Sequence, residues 1–137
     1  MRVVVDCNVL VSAAMSPSTC RRCLSEIARS HTWLHSRATL QEFLEVAQYT
    51  HIKPYFPRVK KIIKVMLRLG VEVRPVDDPV DFPDPDDAVY LQTALAGQAD
   101  ILITGNRKHF PFEEYRGIRI VSPREFLMLT QEQGENE

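Results

Sequence analysis

The chain alternates short, unbroken apolar runs with longer stretches in which apolar residues recur every three or four positions. Residues 2–5, ending in Val3, Val4 and Val5, form a β-branched run closed at once by Asp6, Cys7 and Asn8, the pattern of a short strand covered on both faces of a parallel sheet. A loop through Ser12 and Met15 is expected next, and Ser16 and Pro17 then supply an N-cap and a first-turn proline for a helix reaching about Arg29. A strand over residues 32–35 follows. Ser36 caps a helix in which Leu40, Phe43, Leu44 and Ala47 define one buried face, and which ends near Gln48. The proline-bearing stretch 49–57 is a connector to a helix over 58–69, stopped by Gly70.

Beyond it the pattern gives a brief strand over 71–74, an aspartate- and proline-rich loop over 75–83, and a helix restarted by Asp84 and Pro85 that runs to about Gly97. The apolar run 101–103 is a buried strand that stops at Thr104, Gly105 and Asn106. After a turn around His109, Phe110 and Pro111, a last strand over 118–121 precedes a helix capped by Ser122. Strands alternating with helices predict a three-layer α/β/α sandwich around a mostly parallel sheet, with right-handed crossovers. One domain is expected over residues 1–130, with a frayed tail over 131–137.

Composition narrows the picture. At 137 residues and 45% hydrophobic, the chain can bury one core without disulfides or a structural metal. Cys7, Cys20 and Cys23 make an odd count, which fits a reducing cytoplasm better than a secreted disulfide framework. No signal-peptide core is expected at the N-terminus, and no apolar run approaches the roughly 18 residues that a membrane span needs.

The net charge of −1 excludes a protein that coats nucleic acid by bulk attraction, so any such contact must be local. Local asymmetry exists. Lys60, Lys61, Lys64 and Arg68 fall opposite the apolar Val59, Ile62, Ile63 and Met66 on one helix, whereas Asp77, Asp78, Asp81, Asp84, Asp86 and Asp87 crowd the next segment. The basic stripe reads either as a solvated face or as a track for an RNA backbone, extended by Arg21, Arg22, Arg107 and Lys108. Tyr49, Tyr55 and Phe56 read either as base-stacking groups or as a small satellite core.

Ligands of a parallel sheet bind beyond the carboxyl ends of its strands. That rule gathers Asp6, Asn106 and Asp87, the last in the first turn of a helix and on the same side as Leu91 and Ala94. Taken singly, Asp6 reads as readily as a loop cap, and Asp84 and Asp86 as first-turn acids that favour the helix dipole. Glu42 lies opposite the Leu40, Phe43 and Leu44 face and by spacing alone is a solvated glutamate. There is no glycine-rich lysine motif to cradle phosphates. An aspartyl-nucleophile phosphatase would want a second aspartate two residues after Asp6, where Asn8 stands. Cys20 and Cys23 lack a partner pair and sit within a helix, and His31, His35, His51 and His109 show no ligand spacing.

The order of four segments carries more: Val3-Val4-Val5-Asp6-Cys7-Asn8-Val9-Leu10; Leu40-Gln41-Glu42-Phe43; Asp84-Pro85-Asp86-Asp87-Ala88 with Ala94-Leu95-Ala96; and Ala99-Asp100-Ile101-Leu102-Ile103-Thr104-Gly105-Asn106. In this order the chain resembles PIN domains, and among them the toxin components of VapC-like toxin–antitoxin pairs. The resemblance implies that Asp6, Glu42 and Asp87 are catalytic acids that, together with Asn106, bind one or two Mg²⁺ or Mn²⁺ ions, with Asn8, Ser12 and Thr104 as supporting groups. Asn106 stands where the family usually has a fourth acid, and Cys7 where threonine is more typical. An anionic phosphodiester repels hydroxide, so such a cluster works by holding cations that neutralise phosphate and acidify a bound water. The resemblance therefore implies a metal-dependent endoribonuclease leaving 5′-phosphate and 3′-hydroxyl ends, an antitoxin partner and a homodimer. The missing acid at Asn106 keeps open a second reading, an RNA- or protein-binding module that has lost cleavage.

Overall fold

The computed structural model describes residues 1–75, 85–106, 110 and 113–135, with backbone alone for 85–87 and 132–135. Strand β1 (Arg2–Val5) leads directly into helix α1 (Cys7–Met15), followed by α2 (Thr19–Ser30), β2 (Thr32–His35) and α3 (Arg37–Val46). A 3₁₀ turn (Lys53–Tyr55) enters α4 (Phe56–Leu69), then β3 (Val71–Glu72), α5 (Pro85–Ala96), β4 (Ile101–Ile103), β5 (Glu114–Tyr115), β6 (Ile118–Val121) and α6 (Pro123–Glu135). The order across the sheet is β3-β2-β1-β4-β6-β5, parallel throughout except for the β5–β6 pair. The carboxyl ends of the two central strands are level, since Val5 pairs with Ile103.

Adjacent strand residues point to opposite faces, and β2 shows what covers each. Trp33 faces a cavity lined by α2 and α4 residues, whereas the Leu34 side chain lies against Gly97 at the end of α5. The sheet is thus sandwiched between helical layers. Val3, Val4 and Val5 are all buried, as are Ile101, Leu102 and Ile103, which is why both central strands read as unbroken apolar runs.

Four local expectations are corrected. The segment expected to loop through Ser12 and Met15 is helix α1, because Asp6 already adopts the extended N-cap conformation and the chain turns into helix immediately after β1. Ser16 and Pro17 accordingly lie between α1 and α2, and the latter begins at Thr19 behind Ser18. On α3 the buried stripe is Thr39 and Phe43 with the half-buried Glu42 and Val46, a 3–4–7 spacing, while Leu44 is 37% exposed. Of the expected face, Phe43 and Ala47 are buried and Leu40 packs half-buried against the core, so Leu44 alone departs from it, and Glu42 is half-buried rather than solvated. The expected strand over 71–74 is confined to Val71–Glu72.

The Ser36 cap is present as a reciprocal capping box. Its Oγ accepts the Thr39 N–H at 3.2 Å, and Thr39 Oγ1 accepts the Ser36 N–H at 2.9 Å. Gly70 is fixed by space: a Cβ there would lie 2.5 Å from the Met66 carbonyl oxygen and 2.7 Å from that of Trp33. Glycine lets the end of α4 press against β2. Among the described residues, no helix is long and apolar enough to cross a membrane.

Candidate functional site

Asp6 is buried at the point where β1 ends and α1 begins. Its backbone N–H donates to the Ile103 carbonyl at 2.8 Å, carrying the β1–β4 ladder to the very edge of the sheet. Although it occupies the N-cap of α1, its side chain makes no capping hydrogen bond. The carboxylate is engaged across the edge instead, where Oδ2 accepts from Thr104 Oγ1 at 2.8 Å and, more weakly, from Asn8 Nδ2 at 3.4 Å.

The turn after β4 closes around the same carboxylate. Thr104 is fully buried, and its hydroxyl, while donating to Asp6, accepts the Asn106 N–H at 3.1 Å. Asn8 Oδ1 accepts the Gly105 N–H at 3.0 Å. Asp6, Asn8, Thr104 and the backbone of Asn106 therefore form one hydrogen-bonded unit joining two adjacent strand ends.

Glu42, half-buried on α3, is close enough to Cys7 and Tyr90 to act on both by charge. Its charge and that of Asp6 both act on Cys7 and Tyr90, so the two carboxylates share a neighbourhood. Burial, reinforced by Glu42 and then Asp6, pushes the Cys7 thiol up to about 12, only partly offset by a hydrogen bond from Tyr90. Burial, with Cys7, Asp6 and Glu42, likewise raises the Tyr90 phenol far above its ordinary range. Residue 87 lies in the first turn of α5, one helical turn before Tyr90; its side chain is outside the described residues. Among the described residues, no three His, Cys, Asp or Glu side chains gather closely enough to hold a metal ion.

The other candidates are dispersed. Ser12 is half-buried farther along α1, where its carbonyl accepts the Ser16 N–H at 3.3 Å. Lys60, Lys61, Lys64 and Arg68 are exposed on α4. Arg21 is committed to structure, its Nε donating to the Ala13 carbonyl at 2.9 Å and tying α2 to α1. Tyr49 is 54% exposed, and Tyr55 and Phe56 are 38% and 37% exposed; the residue that the connector buries is Ile52. Cys20 and Cys23 are free thiols. Asp84, Asp86 (as a side chain), Arg107, Lys108 and His109 lie outside the described residues.

Two features escaped sequence reasoning. Tyr90 is buried and its hydroxyl accepts the Cys7 N–H at 3.2 Å. Ser36 Oγ and Thr93 Oγ1, both fully buried, meet at 2.9 Å and join α3 to α5. Tyr90 was legible in principle, since 87, 90, 91 and 94 form one helical stripe; the Ser36–Thr93 contact links residues 57 apart and leaves no local signal.

No curated protein matches the sequence. Among solved structures, the chain is similar to VapBC2 from Rickettsia felis bound to a DNA fragment from the promoter, at 15% identity and a TM-score of 0.59, covering 89% of this chain and 98% of that one. At that identity the likeness speaks for the fold. The sequence also matches the PIN domain family over residues 2–108. With the match spanning most of the sheet and the candidate site, the chain belongs to the PIN domain family.

Proposed function

We propose that the protein is a metal-dependent endoribonuclease acting in the cytoplasm as the toxin of a toxin–antitoxin pair, with Asp6, Glu42 and Asp87 as its catalytic acids. The observation that carries this reading is the Asp6 carboxylate. It is buried, makes no capping hydrogen bond to the first amides of α1, and is held by Thr104 in the neighbourhood of Glu42. A buried carboxylate that does not cap its own helix and lies near a second one has an arrangement suited to a cation.

The donor chemistry fits Mg²⁺ or Mn²⁺. Carboxylates, the Asn106 amide and the Thr104 hydroxyl are hard oxygen donors, and the nearest sulfur, Cys7, is kept as a thiol by burial and the two nearby carboxylates. Asp6, Glu42, Asp87 and Asn106 would hold one or two such ions, which supply charge neutralisation of the phosphate and an acidified water. Thr104 and Asn8 keep the Asp6 carboxylate in one orientation by donating to Oδ2. The Ser36–Thr93 hydroxyl contact holds α3, which bears Glu42, against α5, which bears Asp87. Lys60, Lys61, Lys64 and Arg68 form an exposed basic stripe through which an RNA backbone could be followed without sequence reading. The antitoxin partner is drawn from the likeness to a VapBC2 complex, and pairing with a second copy completes the proposed assembly.

The test compares wild type with Asp6→Asn, Asp87→Asn and Asn106→Asp, by calorimetric titration with Mn²⁺ beside cleavage of a broad RNA panel. The first two variants are expected to lose cleavage and to bind Mn²⁺ more weakly while folding normally, and Asn106→Asp to bind Mn²⁺ more tightly. Variants that bind metal and cut RNA like wild type would refute the mechanism. RNA binding by wild type with no cleavage in Mn²⁺ would instead favour a binding module, the reading that Asn106 motivates.

A further inference from the structure

Tyr90 is a large phenol in the interior, 1% exposed, and the geometry gives its oxygen a specific duty. The first amides of a helix have no partner inside it, and an aspartate at the N-cap ordinarily spends its carboxylate on one of them. Asp6 has the N-cap backbone of α1, with φ −67° and ψ 147°, and does not do so. The buried first amide of α1, that of Cys7, donates instead to Tyr90 Oη at 3.2 Å. Tyr90 therefore grips residue 7 by its backbone.

The grip joins two turns that matter. Residue 7 follows Asp6 directly, and residue 90 lies one turn after residue 87 on α5. Glu42 completes the neighbourhood, its charge being felt by both Cys7 and Tyr90. A single hydroxyl thus ties the first turn of α1 to the second turn of α5.

We propose that Tyr90 is a positioning residue for Asp6: by taking the Cys7 amide and fastening α1 to α5, it keeps the Asp6 carboxylate on Thr104 and in place as a ligand. This rests on the metal-dependent reading of the site given above. Tyr90 touches neither substrate nor cation; it acts through the backbone on which Asp6 is mounted. Outer groups that orient ligands typically change metal affinity by about 10–100-fold when removed. Tyr90→Phe keeps the ring that fills the core and deletes one oxygen.

The experiment is a double-mutant cycle of wild type, Tyr90→Phe, Asp6→Asn and the double variant, read by Mn²⁺ calorimetry and by melting in chelator. Tyr90→Phe is expected to weaken Mn²⁺ binding by about tenfold, while in the Asp6→Asn background the same change alters affinity by less than about twofold, the two sites being coupled. A Tyr90→Phe protein that binds Mn²⁺ like wild type overturns the proposal alone. So does an equal loss in both backgrounds, because the hydroxyl would then act independently of Asp6. Wild type that binds no Mn²⁺ overturns the metal-dependent reading and this inference with it. Amide exchange provides a readout that needs no variant: the Cys7 N–H of wild type is expected to be strongly protected, and exchange at the rate of an exposed amide overturns the tie even if Tyr90→Phe does not fold.

Discussion

Replacing Thr104 by valine isolates the contact that holds Asp6. The two side chains have nearly the same shape, so no cavity opens, and what is lost is the 2.8 Å hydrogen bond to Asp6 Oδ2 together with the acceptor for the Asn106 N–H. A hydrogen bond to a carboxylate contributes about 1.5–3 kcal/mol, and the loss is felt in full because both Thr104 and Asp6 are buried. The Asn106 amide, at a half-exposed position, recovers a water partner and adds little. The expected cost is therefore about 2–3 kcal/mol, or roughly 5–15 °C in Tm for a domain of this size. Urea unfolding followed by circular dichroism measures it as a fall in midpoint at unchanged slope. Thr104→Ser retains the hydroxyl and should recover most of the loss, apart from a buried methyl. The reasoning is refuted if Thr104→Val unfolds within about 0.5 kcal/mol of wild type, or if Thr104→Ser is as unstable as Thr104→Val.

Three further outcomes follow from the same geometry. Gly70→Ala should cost roughly 3 kcal/mol because its Cβ would meet backbone oxygens at 2.5 and 2.7 Å, whereas Gly117→Ala, where φ is +87° with open space, should cost only about 1 kcal/mol; thermal melting that ranks them the other way would contradict the packing account. Burial pushes the Cys7 and Cys23 thiols from 9.0 up to about 12, so the folded state holds protons that the unfolded state releases. Stability should therefore be full below about pH 9 and fall steadily above it, and at pH 8 iodoacetamide should modify only the half-buried Cys20 until the chain is unfolded, as counted by mass spectrometry. On the acid side, burial lowers the His35 pKa below its usual 6.5 despite Glu72 and the Met66 carbonyl, so stability should fall as pH drops below 6.5; His35→Gln should flatten that limb in a pH series of urea midpoints.

What the sequence revealed depended on whether a local pattern had one physical cause. The central strands are covered on both faces, so Val3, Val4, Val5 and Ile101, Leu102, Ile103 stand out as apolar runs, and Ser36 announces its helix because capping is a short-range interaction. Helix α1 was unreadable for the opposite reason. Packed against α2, α3 and α4 at once, it buries Val9, Leu10, Ala13 and Ala14 and shows little of the two-faced contrast by which surface helices are recognised. Strand β5 is two residues long, and its turn sets both Arg116 and Gly117 at positive φ, an arrangement that a single Arg-Gly pair signals only faintly. At the candidate site, Asp6 is visible as a strand-end acid, whereas Glu42 is half-buried beside a face whose apolar spacing gives it no sign of burial. The stripe of α5 marks Tyr90 as an inward residue, but the hydrogen bonds of Tyr90 to Cys7 and of Thr104 to Asp6 cross 83 and 98 residues, and no periodicity encodes which groups pair.

The sheet has a property that bears on how the molecule meets its neighbours. Its two outermost strands, β3 and β5, are each only two residues long, and the second runs against the direction of the rest. A long open edge is a template on which a foreign strand can zip, and shortening it is one of the ways proteins avoid runaway aggregation. Among the described residues, each rim of this sheet exposes too short a ladder to seed such growth. Association with another copy or another protein is thereby pushed onto the helical surfaces, where side-chain shape rather than indiscriminate backbone pairing decides what may bind.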